Sequence, residues 1–86
     1  QVLVKVTGNA NPGDYLLPSG RNDGTAIAIP EKEISFEQYR KSIGIILNKF
    51  EIPGNAKNST IKVYKDMIDK AEKADYDLYL AAVGIK

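Results

Sequence analysis

The polar loop formed by Ser19, Arg21, Asn22 and Asp23 is the stretch whose residue types best suit molecular recognition. Together these residues carry a hydroxyl, a guanidinium, an amide and a carboxylate, which can donate hydrogen bonds to a polar ligand and accept them from it. The loop lies between two short apolar runs that read as strands, so it belongs to a turn at the protein surface. We therefore take these four residues as candidate ligand-binding residues.

The composition argues against covalent catalysis. The chain has 86 residues with no His and no Cys, so a Ser-His-Asp or Cys-His site within one chain is impossible. A serine–lysine site is conceivable, but no lysine is predicted to be buried, and a serine in a turn is ordinarily a turn residue. The serines that this applies to are Ser19, Ser35, Ser42 and Ser59. We expect no catalytic residue.

Two acidic residues are the candidates for a metal site. Asp14 and Asp23 would both offer carboxylate oxygens to Ca²⁺ if their loops adjoined. Their spacing matches no calcium-binding loop, and an aspartate in a tight turn usually accepts a hydrogen bond from its own backbone. We favour the turn interpretation for both residues and expect no metal and no cofactor.

The charge balance predicts neither a nucleic-acid partner nor a membrane partner. The 12 basic and 11 acidic residues leave a net charge of +1, so no strong field attracts phosphates or anionic lipids. The five tyrosines are scattered over several predicted elements, which favours packing over a stacking surface for bases. No apolar run approaches the roughly 20 residues that a membrane-spanning helix needs.

Alternation of apolar and polar residues predicts three short strands in the first third of the chain, at residues 2–7, 14–17 and 25–29. The second is predicted to be an edge strand or a tight crossover, because it ends at Pro18, which cannot donate to a ladder. Further along, Ser35 and Gln38 have the spacing of a capping box, which predicts a short helix over residues 36–41.

The second half of the chain predicts a strand over residues 43–51, a longer helix and a last strand over residues 77–85. The helix is expected to be capped by Ser59 or Thr60 and to end near Ala74. Its apolar stripe recurs at steps of three and four residues: Ile61, Tyr64, Ile68 and Ala71. Both strands have two apolar faces, so we expect them to be covered on both sides.

These elements predict an α+β fold in a single domain over residues 1–86. We expect a small curled β-sheet or partly open barrel of about five short strands, because short strands separated by many turns need their edges closed. One short helix and one longer helix complete the prediction.

Three glycine-anchored regions carry a resemblance to a known family. They are Val4-Lys5-Val6-Thr7-Gly8 with Gly13-Asp14-Tyr15-Leu16-Leu17-Pro18-Ser19-Gly20 and Asp23-Gly24-Thr25-Ala26, then Ser42-Ile43-Gly44-Ile45-Ile46, and finally Leu80-Ala81-Ala82-Val83-Gly84-Ile85-Lys86. Together they resemble the C-terminal autocleaving intramolecular-chaperone domain of phage neck-appendage and tail-fibre proteins. The resemblance implies a β-rich module at the end of a fibre, in a virion or extracellular setting, that aligns three chains and is then cut away. It also implies a cleavage site upstream of this chain or at its start.

Two functional hypotheses follow. The first is a C-terminal assembly module of a larger fibrous or surface protein, a homo-oligomer with a trimer favoured. A chain of this length without cysteines has a small core, and self-association is a common source of extra stability for such chains. The second rests on a shorter likeness, in which Gly13-Asp14 after a valine-rich strand resembles β-clip domains that bind sugars. In that case the loop with Ser19, Arg21, Asn22 and Asp23 would bind a glycan.

Overall fold

The computed structural model describes residues 1–84 of the chain. The elements run in the order β1 (Val2–Val6), β2 (Tyr15–Pro18), β3 (Thr25–Ile29), α1 (Phe36–Lys41), β4 (Gly44–Lys49), α2 (Asn58–Ala74) and β5 (Asp77–Val83). Each predicted strand and helix is present, with bounds shifted by at most a few residues. The predicted end of the last strand, at Ile85, lies outside the described residues.

The five strands form a closed barrel in the order β1-β3-β2-β4-β5, with β5 pairing back onto β1. The β1–β3 pair is parallel and the other four pairs are antiparallel. The α+β prediction is therefore confirmed, and a barrel forms that is closed rather than partly open as expected. Closure removes the exposed strand edges that a flat sheet of this size would present.

The position predicted for β2 was wrong, because β2 pairs with β3 on one side and with β4 on the other. Pro18 is accommodated there by the direction of its backbone nitrogen. The N–H of Ser19 donates to the Thr25 carbonyl of β3, so by strand alternation the nitrogen of Pro18 points toward β4. The β2–β4 pairing has already ended at Leu16, and the missing N–H therefore removes no ladder bond.

The barrel is filled by inward-facing side chains contributed by all five strands. The buried cluster consists of Val6, Leu16, Ala26, Ile46, Tyr79 and Ala81. Val6, Leu16 and Ile46 are fully buried, whereas β3 and β5 contribute alanines at the same level. Small and large side chains together fill the interior of a narrow barrel.

Gly44 sets the closest approach between β4 and β5. A Cβ atom at this position would lie 2.3 Å from the carbonyl oxygen of Ala82 and 2.9 Å from the Cα of Val83. Further along the same pair, the register shifts between Ile46 and Asn48, as in a β-bulge. The bulge interrupts the predicted regular alternation of β4, and bulges of this kind bend a strand so that a short sheet can close.

Both helices lie outside the barrel and differ in how they begin. In α1, the Ser35 hydroxyl accepts from the Gln38 N–H, and the Gln38 side chain accepts from the Ser35 N–H, so the predicted capping box is confirmed. In α2, the N-cap is Lys57 and no side chain caps the helix, so the predicted cap at Ser59 or Thr60 was wrong. The helix ends at Ala74, as predicted, and the C-cap residue Asp75 has left-handed backbone.

Residues 78–81 of the last strand are covered on both faces, as predicted, whereas Val83 near its end is exposed. The same prediction was wrong for β4, whose last three residues are exposed. Tyr79 and Ala81 point into the barrel, whereas Leu78 points outward and is buried beside Ala71 of α2. The N-terminal part of α2 extends beyond this contact, and there Tyr64 meets the Phe50 ring edge-on at 5.0 Å. The molecule is consequently elongated, with extents of 44 × 24 × 18 Å.

Candidate functional site

The candidate recognition loop is the connection between β2 and β3. It is closed at its base by the hydrogen bond from the Ser19 N–H to the Thr25 carbonyl oxygen, at 3.1 Å. Asn22 has a φ of 63°, and it lies between Gly20 and Gly24, which have φ values of 81° and 79°. Glycine adopts left-handed backbone at no steric cost, and asparagine tolerates it. These residue types therefore allow a short connection to reverse the direction of the chain.

Thr25 is the centre of the hydrogen bonds that hold the loop. Its N–H donates to Asp23 Oδ1 at 3.0 Å, and its hydroxyl donates to the same oxygen at 2.5 Å. Because that hydroxyl is committed as a donor, the Ser19 hydroxyl donates to Thr25 Oγ1 at 2.8 Å. Ser19 Oγ in turn accepts from the Arg21 N–H at 3.1 Å. The result is a directional chain of hydrogen bonds that ends on the Asp23 carboxylate.

The hydrogen bonds from Thr25 also favour the ionised form of the Asp23 carboxyl. The hydroxyl of Thr25, then its N–H, hold the pKa of the Asp23 carboxyl below its ordinary value of 3.8, with a further contribution from the Arg21 charge. The Arg21 Nε lies 3.3 Å from Asp23 Oδ2, and both side chains are substantially exposed. An exposed pair of this kind contributes little to stability, but it cancels the net charge of the loop.

The structure thus divides the four candidate residues into two groups. Ser19 and Asp23 use their side chains to brace the turn, and Arg21 is paired with Asp23. Among the described residues, no hydrogen bond or ion pair engages the side chain of Asn22. It borders a shallow cavity of about 290 Å³ that the same hairpin encloses.

Thr25 was not among the predicted site residues; it is buried and belongs to a strand. A local signal was present, because an aspartate often accepts from the backbone and side chain two residues later in the chain. The spacing of Asp23 and Thr25 has that form. Loop residues chosen for their polarity alone therefore omitted the residue that holds them together.

The other residues considered for chemistry are mostly structural. Asp14 Oδ2 accepts from the Asn11 N–H at 2.9 Å, so Asp14 stabilises its own turn as predicted. It precedes β2 whereas Asp23 follows it, so the strand separates the two carboxylates. Across residues 1–84, no group of three or more acidic side chains is arranged to hold a metal ion.

Ser42 is the remaining serine with an unusual environment. Its side chain is buried at the end of α1, and its Oγ makes no hydrogen bond with the described residues. Its N–H donates to the Tyr39 carbonyl oxygen, which ends the helix. Buried hydroxyls normally have a partner, but no general base is shown beside this one.

The end of the barrel next to the loop presents apolar side chains to solvent. Val2, Ile43 and Val83 are each about two-fifths exposed. Val2 pairs with Ala81 of β5, Val83 pairs with Gly44, and the Gly84 N–H donates to the Ile43 carbonyl oxygen, so the three lie on neighbouring strand ends. We call these three residues the apolar rim.

A cleft opens beside the rim, between β1 and the β2–β3 hairpin. The parallel β1–β3 ladder includes only Lys5 and Val6, so the preceding part of β1 has no strand beside it on that flank. The cleft has a volume of about 380 Å³, and its apolar walls are formed by Leu3, Val4, Pro18, Ala26 and Ile43. Lys5 also lines it, but its ammonium lies over the Tyr76 ring at 5.4 Å from the ring centre.

The class of protein that these features define is a small five-stranded closed barrel with one polar hairpin loop and one apolar end. No family model matches the chain, and comparisons with curated proteins and with solved structures produce no match either. Neither helix, within the described part of the chain, has the length and apolar character to cross a bilayer.

Proposed function

We propose that this domain is an assembly module that associates with further copies of itself, as a trimer, within a larger fibrous or surface protein. The observation that carries the proposal is the apolar rim of Val2, Ile43 and Val83 at one end of the barrel. Exposed apolar residues scattered singly are ordinary, whereas three of them on neighbouring strand ends favour an interaction surface. The family resemblance of the sequence supports the same function.

The small size of the domain gives an energetic reason for self-association through this surface. A chain of 86 residues buries a smaller fraction of its surface on folding than a larger domain does. Its fully buried large side chains are Val6, Leu16 and Ile46, and no disulfide is present. Contacts between copies would add the apolar burial that the core cannot supply by itself.

Sedimentation equilibrium at micromolar concentration tests the proposal. We expect a trimer, and we expect Val2→Ser and Val83→Ser to weaken it, because each removes part of the apolar rim. Val63→Ser is the matched control, since Val63 is more exposed than either rim valine but lies on α2. A wild-type chain that remains monomeric throughout would overturn the proposal, as would equal effects of the rim and control substitutions.

A second candidate function is glycan binding at the β2–β3 loop. It is favoured by the unpaired amide of Asn22 at the edge of the cavity of about 290 Å³. An amide that both donates and accepts suits a sugar hydroxyl. A glycan array probed with wild type and with Asn22→Gly, which keeps the left-handed backbone, is the test. Binding that is lost in the variant supports this function, and absence of binding by wild type removes it.

A further inference from the structure

We propose that Phe36 of one copy inserts into the cleft between β1 and the β2–β3 hairpin of a second copy. This inference rests on the proposed self-association and names the contact that produces it. Phe36 is the most exposed large hydrophobic residue in the described part of the chain, at 75%. The cleft is its apolar counterpart elsewhere on the same molecule.

Phe36 lies outside the core of its own domain. It is the first residue of α1, directly after the Ser35 cap, and α1 has no buried residue. The helix is held on the barrel by Tyr39, whose ring meets that of Tyr15 edge-on at 5.4 Å. The capping box fixes where α1 begins, so the Phe36 side chain is presented from a defined backbone.

The cleft offers the environment that an aromatic ring prefers. Its walls include Leu3, Pro18 and Ile43, and the hairpin that forms one side is braced by the Thr25 hydrogen bonds. Its volume of about 380 Å³ lies in the range of small-ligand sites, so a phenyl ring can enter without displacing the core. A rigid aromatic side chain buried in a preformed cleft is typical of the residues that dominate interface energies.

Phe36 does not occupy the cleft of its own chain. Its side chain is 75% exposed, and it is not among the residues that line the cleft. A knob on one part of a surface and a matching cleft on another form a head-to-tail contact between copies. Contacts of this type close into rings when the rotation allows, which is the symmetry that a trimer needs.

Two variants test the contact separately from association as such. Phe36→Ala removes the knob, and Pro18→Arg places a charge in the cleft without altering the apolar rim. Each should raise the dissociation constant of the wild-type assembly by about tenfold or more, the scale of an interface hot spot. Val63→Ala, which truncates another exposed hydrophobic residue, should leave it unchanged. Circular dichroism checks that each variant is folded, and Leu3→Arg replaces Pro18→Arg if the latter does not fold.

A mixing experiment distinguishes the head-to-tail contact from a symmetric one. In an equal mixture of Phe36→Ala and Pro18→Arg, the first variant keeps an intact cleft and the second keeps an intact knob, and both keep the apolar rim. One contact can therefore form, and we expect a heterodimer that cannot close into a ring. A mixture that stays monomeric overturns the inference, as does a Phe36→Ala chain that assembles like wild type. In the latter case the proposed self-association stands, whereas a monomeric wild type refutes both.

Discussion

Replacing Gly44 by alanine should separate β4 from β5 and lower stability, although the substitution adds only one methyl group. The new Cβ would lie 2.3 Å from the Ala82 carbonyl oxygen and 2.9 Å from the Val83 Cα. Carbon contacts are favourable at about 3.5–4.0 Å, so the strands must move apart by about 1 Å. Both obstructing atoms belong to the backbone of β5, and no rotation of a side chain can relieve the contact.

The expected loss can be worked from the hydrogen bonds at this point. A shift of about 1 Å takes N···O distances near 2.9 Å well beyond the normal limit of about 3.2 Å. The adjacent register pairs are Gly44 with Val83 and Ile45 with Ala82. Two or three weakened bonds at about 1 kcal/mol each give roughly 2–3 kcal/mol. The reduced freedom of alanine in the unfolded chain offsets about 0.4–1 kcal/mol of this.

A net loss of about 2 kcal/mol is large for this domain, because proteins of its size are stable by about 4–13 kcal/mol. It corresponds to a fall in Tm of about 8–16 °C. Urea unfolding followed by tyrosine fluorescence measures it, since the chain has five tyrosines and no tryptophan. Protein concentration is held constant, because self-association would make apparent stability depend on it.

Gly54→Ala is the matched control. No heavy atom lies within 4 Å of the position that its Cβ would occupy, and its φ is outside the left-handed region. The same change of residue type should therefore be neutral or stabilising by up to about 1 kcal/mol. Equal urea midpoints for Gly44→Ala and Gly54→Ala would contradict a close approach of β4 and β5 at Gly44.

Two further predictions concern hydrogen bonds near the chain surface. Ser35→Ala should lower stability by about 1 kcal/mol, because it removes the capping box of α1. Ser59→Ala should have no effect, because α2 has no side-chain cap. Equal urea midpoints for the two variants would contradict this prediction. Asp23→Asn should reduce stability at neutral pH. Because the folded pKa of Asp23 lies below its ordinary value of 3.8, the advantage of wild type is present above that value and disappears as the pH falls through the folded pKa. Thermal unfolding of both chains from neutral to acid pH measures this, and a constant difference would contradict it.

Features that depend on neighbouring residues were predictable from the sequence. The capping box joins Ser35 and Gln38, which are three residues apart, so spacing and residue type are sufficient to identify it. The hairpin loop follows from the same kind of evidence, because glycine and asparagine permit its left-handed backbone. The α2 cap was the local prediction that was wrong, since the helix begins before Ser59 without using any side chain as a cap.

Features that depend on strand pairing were not predictable in the same way. Pro18 was expected to mark an edge strand or a tight crossover. Whether its missing N–H costs a ladder hydrogen bond depends on which strands lie beside it. The roles of the loop residues likewise depend on Thr25, which belongs to β3 and whose N–H donates to the Asp23 carboxylate. Polarity selected four candidates from one loop, and the structure was needed to show that Asn22 alone among them has an unpaired side chain.

The sequence by itself determined the elements, the α+β class and the exclusion of catalysis by histidine or cysteine, because these follow from residue types and short-range periodicity. Closure of the barrel was decided by tertiary structure, since it joins β1 to β5 across nearly the whole chain. The apolar rim was decided in the same way. Ile43 lies about 40 residues along the chain from both Val2 and Val83, which are twice as far from each other, and only the closed barrel brings their strand ends together.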